Sequence, residues 1–207
     1  MTLAREIRRK AFHMLAGMSI PVLFYLFLGW QQLSGKPYTY LAKWILIGAT
    51  LAILAVDVIR LRHQFFRILF IDFFGPLLRR HEISELTGAT YLMLSSTVCI
   101  LIYRSGAAIA AISFMVIGDA FAAVFGRRFG RPVLFGKSLE GAAACLVGCL
   151  LVGTAIVLLP GSGLRPLPMA LGALTATLAE FAPLPLDDNI TIPLLSGLAM
   201  HLTFTIF

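Results

Sequence analysis

The stretch HQFFRILFIDFFGPLLR, residues 63–79, decides the fold. It is apolar enough to pass for a membrane span, yet it carries Arg67 and Asp72 and is short of the roughly 20 apolar residues that a crossing helix needs. If it crosses, every later loop changes side. Seven other apolar runs surround it, at 11–29, 41–60, 86–103, 106–125, 139–159, 167–182 and 190–206. With the N-terminus inside and 63–79 lying flat, thirteen Lys and Arg residues face the cytoplasm and four (Lys36, Lys43, Arg104, Arg165) face outward. If 63–79 crosses, the count becomes eight against eight and the usual cytoplasmic excess of positive charge vanishes. The sequence therefore predicts an all-α, polytopic integral membrane protein with about seven transmembrane helices and one cytoplasmic interfacial helix.

Composition agrees. The 207 residues are 59% hydrophobic and 13% charged, with a mean hydropathy of +0.90, whereas about a quarter of the residues in a soluble domain are charged. Several spans leave only short loops, which excludes a large soluble catalytic domain and predicts one domain over residues 1–207. The net charge of +7 would suggest nucleic acid in a soluble protein, but here the basic residues flank apolar runs and read as topology signals. Arg5, Arg8, Arg9 and Lys10 precede the first run and no small-residue cleavage site follows it, so an uncleaved first helix is expected. Cys99, Cys145 and Cys149 all sit inside apolar runs, where they read as small packing residues and not as a disulfide framework or zinc site.

This topology puts all ten acidic residues on the cytoplasmic side or at cytoplasmic span ends. Carboxylates in or near hydrocarbon are costly and usually have a role, so Asp57, Asp119, Glu140, Glu180, Asp187 and Asp188 become candidates. Asp119 shares a helix face with Ala122, Ala123 and Gly126, which suits either close approach of a ligand or an interhelical hydrogen bond. In GRPVLFGKSLEG, residues 130–141, Lys137 and Ser138 precede a span with Glu140 in its first turn, and Arg127, Arg128 and Arg131 crowd the same loop. Helix-start N–H groups and a lysine favour phosphate. A Walker A loop is excluded because five residues, not four, separate Gly130 from Gly136 and no strand is expected before them.

The last cytoplasmic loop and its flanks, EFAPLPLDDNITIP at 180–193, hold Glu180, Asp187, Asp188 and Asn189 without any Lys or Arg. Such oxygen donors suit magnesium with substrate phosphates; alternatively, Asp188 or Asn189 caps the seventh span. Arg9, His13 and Gly17 align on one helix face, and Asp57 and Arg60 can pair at i, i+3. Gly141, Cys145, Cys149 and Gly153 form a small-residue stripe that could admit a lipid chain laterally or a packed helix.

Five segments together, RRKAFH at 8–13, ELTGATY at 85–91, GDAFAAVFGRRFGR at 118–131, GKSLEG at 136–141 and EFAPLPLDDNITIP at 180–193, resemble the dolichol kinase, phytol kinase and CTP-dependent diacylglycerol kinase family, whose members phosphorylate membrane-embedded alcohols. The resemblance implies CTP as phosphoryl donor, a divalent metal (magnesium) and a cytoplasmic nucleotide site, in a bacterial inner membrane or an endoplasmic-reticulum-like one. It implies Asp119, Asp187 and Asp188 as metal candidates. Lys137, Ser138, Arg127, Arg131, Asn189, Thr87, Gly88 and Arg60 become candidates for the nucleotide site. His13, Asp57, Glu140 and Glu180 are left for acid–base work. The middle segments also resemble phosphatidate cytidylyltransferase, but that family's basic-acidic ending is missing after Gly141. Outside enzymes, the rival is a small transporter or lipid-binding membrane protein. A transporter places ionisable groups near the midplane between broken helices, whereas these acids gather at one end of the spans.

Overall fold

Long apolar segments separated by Gly, Pro and short charged loops leave the backbone few ways to satisfy itself except helices. The computed structural model describes residues 3–79, 81–134 and 136–206, with side chains for 13–79, 81–131 and 136–204. Its helices are α1 (Leu3–Ser34), α2 (Tyr38–Arg62), α3 (Gln64–Phe74), α4 (Gly88–Ile102), α5 (Ser105–Phe129), α6 (Leu139–Leu158), α7 (Pro166–Phe181) and α8 (Asp188–Ile206).

Within residues 63–79 the structure holds one short helix. The 11 residues of α3 span about 16 Å, roughly half a hydrocarbon core. The following loop, with a single 3-10 turn at His81–Ile83, then returns the chain to its starting level. Thr87, at the head of α4, donates its N–H to Asp57 near the end of α2 at 2.7 Å. The other seven helices follow the seven apolar runs. Four of them, His13–Ser34, Tyr38–Arg62, Ser105–Phe129 and Leu139–Leu158, are long and apolar enough to cross a bilayer by length and composition. At 15 and 16 residues, α4 and α7 reach only about 22–24 Å.

The core is α5, buried without interruption from Gly106 to Val116 and packed on α1, α6, α7 and α8. Small residues set these approaches. A Cβ on Gly118 would lie 2.8 Å from Cys149 Sγ and 2.9 Å from Cys145 Sγ, and one on Gly153 would lie 2.7 Å from Met169 Cγ. The α6 stripe is therefore filled by neighbouring helices, which corrects the expectation of lateral lipid entry along it. The three cysteines are free and buried, as packing residues are.

The sequence reading missed a hairpin between α5 and α6, with β1 (Pro132–Leu134) antiparallel to β2 (Lys137–Ser138). Gly136, at its turn, has φ +76, a conformation that glycine adopts without strain. A strand thus does precede Lys137, and the exclusion of a Walker A loop stands on its spacing alone.

Candidate active site

Polar residues of α1, α2, α4, α5, α7, α8 and the hairpin meet at one end of the bundle in two clusters and the cleft beside them. The first lies in the last turn of α2. Asp57 and Arg60, three residues apart, are each 1% exposed. Arg60 Nε donates to Asp57 Oδ1 at 2.5 Å, Nη1 to the Glu82 carbonyl at 2.9 Å and Nη2 to the Glu85 carbonyl at 2.7 Å. The other carboxylate oxygen of Asp57 accepts from Thr87 N–H, from Thr87 Oγ1 at 3.0 Å and from Thr90 Oγ1 at 2.6 Å. Thr87 also caps α4, accepting from Thr90 N–H.

Buried Glu82 completes this clasp, accepting from Arg79 N–H through Oε2 and from Gly88 N–H, at 2.8 Å, through Oε1. Asp57 and Arg60 thus hold the 79–90 segment against α2 through bonds to Glu82, Glu85, Thr87 and Thr90. A buried carboxylate so occupied is a fixed part of the scaffold. Sequence reasoning passed over Glu82 and Thr90. The Thr-x-x-Thr spacing at a helix start was a usable signal for Thr90, whereas Glu82 looked like any loop carboxylate.

The second cluster joins the hairpin, α7 and α8. Lys137 Nζ donates to the Glu180 carbonyl and pairs with Glu180 Oε1 at 3.3 Å and Asp188 Oδ2 at 3.6 Å. Arg79 pairs with Asp187 at 3.7 Å. These separations exceed the roughly 2.7–2.9 Å of a tight charge-assisted hydrogen bond. The α8 cap is Asp187, and neither Asp188 nor Asn189, the two named in the capping alternative: its Oδ1 accepts from Asn189 N–H at 2.8 Å and from Asn189 Nδ2 at 2.7 Å. Ser95 fixes Asn189 from α4, donating to its carbonyl at 2.6 Å. Asp119 is near enough to Glu180 and Asp188 for their charges to interact.

Among the described residues, no group of three or more His, Cys, Asp or Glu could hold a metal by itself. The donors are carboxylates and an amide, the set from which magnesium takes one or two protein ligands and the rest from substrate phosphates and water. They therefore fit a metal that arrives with a nucleotide. His13, Arg79, Asp119 and Asn189 join Asp57, Thr87 and Gly88 in lining a cleft of about 550 Å³. A Cβ on Gly88 would lie 3.0 Å from Asn189 Nδ2, so the two motifs touch.

Other expected site residues stand apart. Ser138 is buried as the α6 cap, its Oγ accepting from Gly141 N–H at 3.1 Å. Glu140 is exposed and its Oε2 accepts from Arg131 N–H at 3.2 Å, tying the hairpin to α6. Arg127 and Arg131 are exposed, while Lys137 is engaged by acids. The side chain of Arg9 lies outside the described residues.

The chain is 29% identical to the CTP-dependent diacylglycerol kinase 1 of Saccharomyces cerevisiae over 98% of its own length and 74% of that protein's. It is 27% identical to an uncharacterized protein of Rickettsia prowazekii over 91% of its length and 90% of the relative's. A probable chloroplastic phytol kinase 1 of Oryza sativa subsp. japonica is 33% identical over 58% of this chain and 43% of the relative. No family model and no solved structure matches. Over nearly its whole length in the first comparison, and over part of it in the last, this helical membrane chain is thus similar to relatives named as two kinds of lipid kinase.

Proposed function

We propose that the protein transfers the γ-phosphoryl group of CTP to the hydroxyl of a membrane lipid alcohol, of the polyprenol or phytol-like kind, at the cytoplasmic end of its spans. The observation that carries this reading is the meeting of Asp119, Lys137, Glu180, Asp187 and Asp188, drawn from four elements, beside a cleft that Asp119 itself lines. Phosphoryl transfer asks mainly for positioning and charge neutralisation, and this constellation offers both. The Lys137 pairs with Glu180 and Asp188, at 3.3 and 3.6 Å, are long enough for phosphate oxygens to compete for the ammonium, which the Glu180 carbonyl also engages. Asp187 and Asp188 would hold magnesium, which when bound neutralises the charge of the nucleotide phosphates.

Asp119, grouped with those two by sequence, faces the cleft and is the carboxylate placed to take the acceptor's proton. The lipid oxygen forms a bond to the γ-phosphorus as the bond to the β-phosphate bridging oxygen breaks, the hydroxyl proton passes to Asp119, and CDP leaves. Asp57 and Arg60, spent in the clasp, position the 79–90 segment. Incubating purified protein with lipid alcohol and CTP labelled on either the α- or the γ-phosphorus tests the reaction. Label from the γ-position alone on the lipid is expected. A cytidine group on the lipid, with phosphatidate as acceptor and pyrophosphate released, would establish cytidylyl transfer instead.

A further inference from the structure

The cleft has a second, apolar part to which the phosphoryl chemistry gives no role. Its walls are Ala52, Ile53 and Val56 of α2, Phe70 and Phe74 of α3, and Leu92 of α4. At about 550 Å³ it falls within the roughly 300–1,000 Å³ of sites that enclose a single small ligand. Apolar walls closing onto a few convergent polar groups suit an amphiphile with one hydrocarbon body and one polar head. The position of Asp119 and Asn189 fixes which head: both line this cleft, and both also belong to the acidic cluster, Asn189 through its bonds to Asp187 and Asp119 through its interaction with Asp188.

We propose that this cleft is the acceptor site. The lipid chain lies between α2 and α3, its hydroxyl reaches Asp119 and Asn189, and Arg79 at the polar end binds the phosphate once it has been transferred. The inference rests on the kinase reading and adds where the lipid sits. Arg79 is suited to this part because its guanidinium pairs with Asp187 at a long 3.7 Å, with the side chain 38% exposed, while its own N–H is anchored by Glu82. The Arg60 guanidinium lies 4.8 Å from the centre of the Phe70 ring, so the buried clasp also fixes one apolar wall. The predominantly apolar surface of α3, with Phe65, Phe66, Ile68 and Phe73 exposed, keeps this wall at the membrane surface, where a lipid alcohol carries its head.

The test uses the intact protein in detergent and a long-chain alcohol carrying a diazirine at mid-chain, without nucleotide. Photolabelling is expected on peptides containing residues 52–56 and 70–78. Ala52→Trp, at an exposed position that tolerates bulk, should lower labelling and raise KM for the long-chain alcohol about tenfold, with kcat and the CTP dependence unchanged. Leu151→Trp, on an exposed face of α6, should change neither. Arg79→Gln should weaken binding of the lipid monophosphate about tenfold while leaving that of the alcohol unchanged. Labelling confined to α6 and α7, or an Ala52→Trp enzyme with unaltered KM, would overturn the acceptor site while leaving the kinase reading intact. Labelling of the cleft by a wild-type protein that transfers no phosphate would remove the kinase reading and leave the lipid site.

Discussion

The two polar clusters at the same end of the bundle are built from the same residue types and behave differently. In the clasp of Asp57, Arg60 and Glu82, each charged group is 6% exposed or less, and hydrogen bonds of 3.0 Å or less engage the arginine and both carboxylates. In the cluster of Lys137, Glu180, Asp187 and Asp188, charges face one another across 3.3–3.7 Å, and the Asp188 side chain is 42% exposed. A buried, tightly bonded cluster holds a shape. A loosely paired one leaves Lys137 and Asp188, which are not buried, open to phosphate and metal, while Glu180 is the buried one of the four.

The largest expected effect is structural. Asp57→Asn keeps the volume but strands Arg60 in the interior, and breaking a buried pair in this way costs about 3–5 kcal/mol; the thermal unfolding midpoint of the purified protein should fall sharply. If stability is retained and only turnover is lost, Asp57 belongs to the chemistry and the contrast between the clusters collapses. Next comes Asp119→Asn, which should reduce turnover at least about 100-fold, the scale of losing one preorganised electrostatic group, with stability retained. Raised magnesium should not rescue it if Asp119 is the proton acceptor; rescue would return it to the metal ligands. Glu82→Gln replaces one of two acceptors by a donor and should cost about 1–3 kcal/mol of stability, readable in the same melting experiment. Smallest is Ser138→Ala, the loss of a helix cap, at about 1 kcal/mol and with turnover near normal; a large fall in turnover would place Ser138 on the nucleotide.

Much of this was legible in the sequence. The seven apolar runs reappear as helices, six of them within about four residues of their expected ends, and the segment 63–79, too short and too charged for a span, holds only the short α3. The segments that looked chemical do meet, because an up-down chain of spans returns every second boundary to the same end. What sequence could not show is which polar atoms are already spent. Asp57 and Asp188 read alike as acids at span ends, and only the bonds from Thr87, Thr90 and Arg60 separate them. Lys137 looked like part of an arginine-rich phosphate loop, but its partners, Glu180 and Asp188, lie more than forty residues away. The α6 stripe was ambiguous for a related reason: small residues open a gap, and the facing helix decides what fills it.

The contrast between the clusters is tested most directly by Asp188→Asn, measured for both thermal unfolding and CTP-dependent lipid phosphorylation across a magnesium titration. Unfolding should stay close to wild type, because Asp187 and not Asp188 caps α8. Turnover should drop by about two orders of magnitude, with partial recovery as magnesium rises. Normal turnover across the whole magnesium range would contradict this reading and leave Asp188 as no more than an exposed residue in the first turn of α8.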